Sequence, residues 1–398
     1  MSQTVLLGDI CDVRDGTHDS PKPKDVGHPL VTSKHIKNYK IDFSTANLVS
    51  DQDFIAINKR SKVDKYDILI SMIGTVGELA FIDYIPTFAI KNIGLIKTGE
   101  ELLGRYLFYY LQSPKAKQYL EASLAGSTQK FIGLGLLRKF PIDLPDTESQ
   151  KKSVDILSTL DEKIELNRKM NETLEQMGQA LFRHYFITNR AAKEWEKRPL
   201  GDFVDLINGA SYKSSELLPS TNALVTLKSI GRGGGFSRKG YKAFTGKMKD
   251  TQIVQDGDLI VAHTDLTQKA EVAGYPALVD GADQYDQVAI SMDLVKVVSR
   301  SQEISSSFVY FLLRTREFQD HKMGYISGST VLHLNKKCIP SYQIALPSDK
   351  SVLQEISMTF DGLMEKIKVS NQEIQTLTTL RDTLLPRLIS GKVKIWNE

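Results

Sequence analysis

Cysteine is almost missing from this chain: among 398 residues only Cys11 and Cys338 occur, far apart and in no Cys-x-x-Cys or Cys/His cluster. Two such residues exclude a disulfide framework and argue against a structural zinc site. The seven histidines are scattered and have neither metal-ligand nor triad spacing. His18, His28 and His35 lie close together but match no helix face, so they read as a surface loop. No apolar run reaches the roughly 20 residues of a membrane span, and no charged-then-apolar leader opens the sequence. The expectation is an intracellular, cytoplasmic protein with no membrane partner. Charge of one sign is lacking too. Lys+Arg number 51 and Asp+Glu 48, so any case for a nucleic-acid partner rests on local charge.

Catalytic signatures are equally scarce. The glycine clusters at 231–235 and 240–247 have the wrong spacing for a phosphate-cradling NTPase loop, and no Ser or Thr follows the lysine. The Asn-Pro-Pro-aromatic and Asp-Pro-Pro-aromatic signatures of adenine methyltransferases do not occur, nor does an F-x-G-x-G cofactor loop. Pro145-Asp146 followed by Asp161-Glu162-Lys163 does match the loose spacing of metal-dependent nucleases. Its Asp161 and Lys163, however, fall on a heptad helix, whereas a nuclease needs them on a strand converging on one metal.

What the chain does have is an internal duplication. Leu7-Gly8-Asp9 with Asp12 and Gly16 returns as Leu200-Gly201-Asp202 with Asp205 and Gly209. Leu30-Val31-Thr32 with Lys34 and Ile36 returns as Leu224-Val225-Thr226 with Lys228 and Ile230. Gly126-Ser127-Thr128 running to Pro145 returns as Gly328-Ser329-Thr330 running to Pro347. A period of nearly two hundred residues is too long for a solenoid repeat, so each copy is expected to be a folded unit with its own core.

Each repeat opens with short strand-like runs, among them 30–32, 67–72 and 258–262, and continues with a helical pattern over 101–112 or 305–319. A Gly-Ser-Thr turn and a short strand ending in Leu-Pro follow, which predicts an α+β unit with a curved sheet or small barrel. Both repeats then end in a long heptad helix. The second carries Leu353, Ile356, Phe360, Leu363, Ile367, Ile374, Leu377, Leu384 and Leu388, interrupted by Ser370 and Arg381. The first carries Leu157, Leu160, Ile164, Leu174 and Leu181, with Asn167 and Asn171 in the seam, a device that fixes register at a cost in stability. Thr147 with Gln150 reads as a capping box, Ser348 as an N-cap and Gly391 as a stop. Each helix is expected to run about 38 residues, or roughly 57 Å. Packing on each other within one chain, the helices must run antiparallel, and would hold two globular halves apart as a ruler for two half-sites on a duplex.

The resulting organisation is α+β: a first globular domain at 1–146, a helix at 147–187, a second domain at 188–347, a distal helix at 348–392 and a tail at 393–398. Basic residues are concentrated between Lys228 and Lys249, where Lys228, Arg232, Arg238, Lys239, Lys242, Lys247 and Lys249 alternate with aromatics and a Gly233-Gly234-Gly235 loop, with no acid between them. Glycines let backbone approach a phosphate and cations neutralise it. Lys22, Lys24, Lys34, Lys37, Lys40, Lys59, Arg60, Lys62 and Lys65 repeat this less densely in the first half. A solvated loop would carry the same charges, but their recurrence in corresponding places favours DNA. Candidate base-edge contacts follow the strands at 67–72 and 258–262: Thr75 in one repeat, Thr264, Gln268 and Lys269 in the other. Gln129 and Lys130, with Thr330, extend the set beside the two Gly-Ser-Thr turns.

Two diverged halves, each ending in I-x-L-P before a long helix with Leu160-Asp161-Glu162-Lys163-Ile164, resemble the DNA-specificity subunit of type I restriction-modification systems. The restart at Trp195-Glu196 and Pro199-Leu200-Gly201-Asp202 and the terminal 384–392 segment, LLPRLISGK, share that resemblance, which covers essentially the whole chain. Phe360-Asp361-Gly362-Leu363-Met364 departs from it. The resemblance implies a non-catalytic subunit that binds double-stranded DNA at a split, asymmetric site. It further implies docking of two modification subunits, which methylate adenine N6 with S-adenosylmethionine on a flipped base, and of restriction subunits using ATP and Mg2+. Two other classes stay open on the residues alone: a stand-alone DNA-modifying or DNA-cleaving enzyme, and a scaffold that does not bind DNA.

Overall fold

A computed structural model describes residues 3–124, 131–301 and 303–391. The chain divides into two units, Met1–Glu165 with Ile374–Glu398, and Leu166–Glu373. In the first unit Gln3–Leu6 pairs antiparallel with Pro141–Leu144. A four-stranded antiparallel sheet follows in the order Asp12–Asp15, Ile93–Lys97, Ile68–Ser71, Leu79–Phe81. A three-stranded sheet places His28–Val31 between antiparallel Asn47–Val49 and parallel Ala89–Ile90. The second unit repeats each part. Glu196–Pro199 pairs with Gln343–Leu346; the four-stranded order is Val204–Asn208, Leu294–Ser299, Leu259–Ala262, Pro276–Leu278; and Ala223–Val225 lies between antiparallel Tyr241–Ala243 and parallel Val288–Ile290.

The two apolar runs at 68–71 and 259–262 show no polar alternation because both faces of these strands are covered. Ile68 and Ile70 pack with Tyr106 and Leu107, while Leu69 turns to Val31, Ile90 and Leu95. In the second unit Leu259 and Val261 face Phe308 and Phe311, and Ile260 and Ala262 face Val225 and Ile290. Gly16 and Gly209 hold the two sheets of each unit together at close quarters. A Cβ on Gly16 would lie 2.5 Å from the Ile90 carbonyl oxygen, and one on Gly209 2.0 Å from that of Ser291.

The helical pattern at 101–112 forms the helix Glu101–Gln112, followed by Pro114–Leu124. The continuous helix expected over 305–319 is instead two, Ser306–Leu313 and Arg316–Met323. Thr315 sits between them in extended backbone, and its Oγ1 accepts the Phe318 N–H at 3.3 Å, which starts the second helix.

The long helices run Thr147–Phe182 and Lys350–Ile389. Their caps are Asp146 and Asp349 rather than Thr147 and Ser348. Each carboxylate accepts a first-turn N–H at 2.9 Å, from Ser149 and Ser351 respectively. Gly391 has φ +67, consistent with a stop. In the first unit Val154 and Leu157 share a core with Leu385, Leu388 and Ile389; in the second, Leu174 and Phe182 share one with Leu353, Ile356, Phe360, Leu363 and Ile367. Early residues of one helix meet late residues of the other, so within each unit the helices run antiparallel. Ile164 is buried, while Leu160 and Leu377 are half-exposed. The polar seam residues find one another. In the second unit Asn167 Nδ2 donates to Glu373 at 2.8 Å, Ser370 Oγ to the Asn167 carbonyl at 3.4 Å, and Asn171 Nδ2 to Asn371 at 2.8 Å.

His35, expected in a surface loop, is buried, and its Nδ1 accepts the Thr32 N–H at 2.8 Å, closing a tight turn. Both cysteines are buried and unbridged. Among the described residues no helix is long and apolar enough to cross a membrane.

Candidate nucleic-acid interface

In the four-stranded sheet of each unit, one hairpin ends in a connection that carries predicted contacts. In the first unit Ile68–Ser71 and Leu79–Phe81 are joined by residues 72–78, with Ile73, Gly74 and Thr75 exposed. Ser71 clamps this tip: its Oγ donates to the Thr75 carbonyl and accepts the Glu78 N–H at 2.8 Å. The two-residue turn Asn38-Tyr39, with φ +50 and +65, lies between Lys37 and Lys40 and belongs to a small hairpin packed on Leu79–Phe81. Lys37 pairs with Asp42 at 2.8 Å, Lys40 with Glu165 at 2.5 Å, and Arg60 with Asp15. Lys34 and Lys59 are exposed. Gln129 and Lys130 lie outside the described residues.

In the second unit the corresponding strands, Leu259–Ala262 and Pro276–Leu278, are joined by the longer stretch 263–275. Leu266 is 71% exposed at its tip, with Gln268 and Lys269 exposed beside it. Gln268 Nε2 donates to the Ser329 carbonyl at 3.0 Å, which brings the tip to the turn holding exposed Thr330. Arg232 pairs with Glu271 of the same stretch at 3.4 Å. His263 is held below the usual imidazole range by burial and then by the nearby Lys336 and His333.

Three sequence expectations change here. Thr264 cannot meet a base in this conformation: it is buried, and its Oγ1 donates to Asp293 at 3.1 Å. Arg238 is spent on structure, forking onto Asp280 through Nε at 2.7 Å and Nη2 at 2.8 Å. The three-glycine loop does not offer its backbone to a phosphate. Gly233, Gly234 and Gly235 have φ of +76, +99 and +86, and their N–H groups donate to Glu271, Gly231 and Pro276 carbonyls. Those glycines let the loop fold tightly against the 271–276 segment. Lys228 and Lys239 remain exposed and Lys242 half-exposed, available to phosphates. Leu266, Asp265 and Lys322 also shape this tip, although the sequence did not single them out. The Asp-x-Thr run at 265–267 is a turn signal that could have revealed the first two, but nothing local marks Lys322.

A sequence profile described as the type I restriction modification DNA specificity domain matches the chain twice, over residues 2–176 and 192–379. The chain belongs to this family. The two matches coincide with the two repeats. Among curated members, the MjaIX type I restriction enzyme specificity subunit of Methanocaldococcus jannaschii is 24% identical over 421 residues, covering 98% of this chain and 93% of its own. The HindI specificity subunit of Haemophilus influenzae is 24% identical over 359 residues, covering 73% and 78%. The crystal structure of a type I restriction-modification S subunit from M. genitalium superposes with a TM-score of 0.57 at 15% identity, over 98% of this chain and 96% of that one. This last likeness shows that the specificity-domain family fold is shared.

Proposed function

We propose that this chain is the DNA-reading subunit of a type I restriction-modification complex, each repeat contacting one half of a split, asymmetric duplex site. The observation that carries this reading is a common sheet with an unlike tip. The strand order is the same in both units, yet the hairpin connection spans 72–78 in one and 263–275 in the other, exposed at 73–75 and at 266, 268 and 269 respectively. A shared scaffold with diverged exposed loops is what two different half-sites require. The exposed cations supply phosphate neutralisation, and the tips supply groove contacts.

The chemistry belongs to partners on this reading. Two modification subunits bring S-adenosylmethionine and methylate adenine, and restriction subunits bring ATP and Mg2+, in the cytoplasm. A nuclease role for Asp161 is disfavoured by its surroundings, since its carboxylate is occupied by Arg381 and Tyr109. The test is a chimaera in which residues 195–347 are exchanged for those of another specificity subunit. Sequencing methylated adenines in cells carrying it with the modification subunit should show one half-site changed and the other kept. A change in both together would defeat the modular reading.

A further inference from the structure

Besides the Gln268–Ser329 bond and the pairing of Thr264–Asp265 with Leu332–His333, three groups of contacts secure the longer hairpin tip. From below, Asp265 is fully buried; its Oδ1 accepts the Thr267 N–H at 2.6 Å, and its Oδ2 accepts those of Val272 at 2.6 Å and Ala273 at 2.9 Å. From behind, Lys322 on the helix Arg316–Met323 is 3% exposed. Its Nζ donates to the Ala270 carbonyl at 2.9 Å and the Ala273 carbonyl at 2.8 Å, and stands 3.9 Å from the Tyr275 ring centroid. From the side, the glycine loop donates Gly233 N–H to Glu271 at 2.9 Å and Gly235 N–H to Pro276 at 3.0 Å. Ala270, a non-glycine residue at φ +51, shows how tightly the path is fixed.

Lysine and aspartate are costly groups to bury, and here the cost is offset by the backbone groups of the tip that they satisfy and that an apolar filler would leave stranded. Here each charge is spent on backbone groups of the same connection. We propose that Asp265 and Lys322 are positioning residues that hold residues 266–273 as a preformed reading element, presenting Leu266, Gln268 and Lys269 to the base edges of one half-site. This rests on the DNA-reading role above. The chemistry of the tip suits a major groove: a leucine contacts a thymine methyl, the exposed Gln268 amide, anchored through one Nε2 hydrogen on the Ser329 carbonyl, offers its oxygen to an adenine amino group, and a lysine donates to guanine or phosphate. Ordering a flexible 263–275 connection on binding would subtract from affinity, and the clamp removes that cost beforehand. The shorter tip of the first unit carries no buried charge of this kind; it is held by the Ser71 hydroxyl and by backbone bonds such as Ile132 N–H to the Met72 carbonyl at 3.0 Å.

The test uses the full chain with its modification subunit, and duplexes of the mapped methylation site carrying every single-base change in both half-sites. Leu266→Ala and Gln268→Ala should alter preference at one or two positions of one half-site. Lys322→Met should lower discrimination at those same positions about tenfold, leaving the other half-site and the salt dependence unchanged. Unaltered discrimination in Lys322→Met, or an equal loss of affinity for every sequence, would overturn the clamp. Should Lys322→Met fail to fold by circular dichroism, Asp265→Asn carries the same expectation. Wild-type protein that discriminates at neither half-site would overturn the DNA-reading role itself, a result distinct from failure of the clamp.

Discussion

Arg381 on the second long helix donates from Nη1 to Asp161 on the first at 2.8 Å, and the Tyr109 hydroxyl donates to the other oxygen of that carboxylate at 2.9 Å. Two residues that look out of place in the sequence, an arginine in an apolar seam and an aspartate in a nuclease-like spacing, are thus each other's explanation.

Removing one partner should therefore destabilise rather than inactivate. Asp161→Ala leaves a guanidinium only 13% exposed with its interhelical acceptor gone. The expected cost is about 1–3 kcal/mol, read as a lower denaturant midpoint. Well below that midpoint the variant should bind the same DNA site as wild type. Altered site preference there would show that Asp161 has a role beyond packing.

Much of the architecture was legible because it rests on repetition and periodicity. The duplicated motifs mark the two units, and the threes-and-fours spacing marks Leu157, Ile164, Phe360 and Ile367 as buried seam residues. Single side-chain fates were not legible. Thr264 and Thr75 follow equivalent strands, yet one is buried against Asp293 and the other exposed, because Thr264–Asp265 forms a short strand paired with Leu332–His333. Arg238 and Lys239 are adjacent cations, but only the first has Asp280 within reach, a contact 42 residues away in sequence. Lys322 sits in a charged helix with no local sign that it is buried.

The glycines offer a contrast. Gly209→Ala would drive a methyl to 2.0 Å from the Ser291 carbonyl oxygen, a backbone atom that cannot step aside. A loss of more than about 3 kcal/mol is expected. Gly233→Ala meets nothing within 4 Å and pays only for its φ of +76, about 1 kcal/mol. Thermal unfolding of the two variants side by side checks the order, and equal losses would contradict the close approach.

Adjacent cations at 238 and 239 should separate stability from affinity. Arg238→Ala strands the Asp280 carboxylate and should cost about 1–3 kcal/mol of stability. Lys239→Ala should leave stability within about 0.5 kcal/mol. If it meets a phosphate, the log–log salt slope of DNA binding falls by about one. Anisotropy titrations at several salt concentrations, paired with denaturant curves, decide both points.

Burial lowers the Lys322 ammonium to about 8, against the opposing influence of Asp265 and Cys338. Burial alone would raise the Asp265 carboxyl, but the N–H groups of Ala273, Thr267 and Val272 outweigh it and hold it below its ordinary value, so it stays ionised beside the lysine. Because the folded lysine loses its proton more readily than the unfolded one, the unfolded chain binds more protons between pH 8 and the ordinary lysine value of about 10.4. Stability contributed by this site must therefore rise with pH across that window, and the penalty of burying the charge is fully present below pH 8. Burial pushes the Cys338 thiol up to about 12, which acts in the opposite sense above pH 9, so the comparison is best made between pH 7 and 9 and against Lys322→Met. Wild type should gain about 1 kcal/mol relative to that variant over this interval. Denaturant unfolding at the two pH values measures it, and a difference that stays constant would mean that Lys322 keeps its ordinary proton affinity.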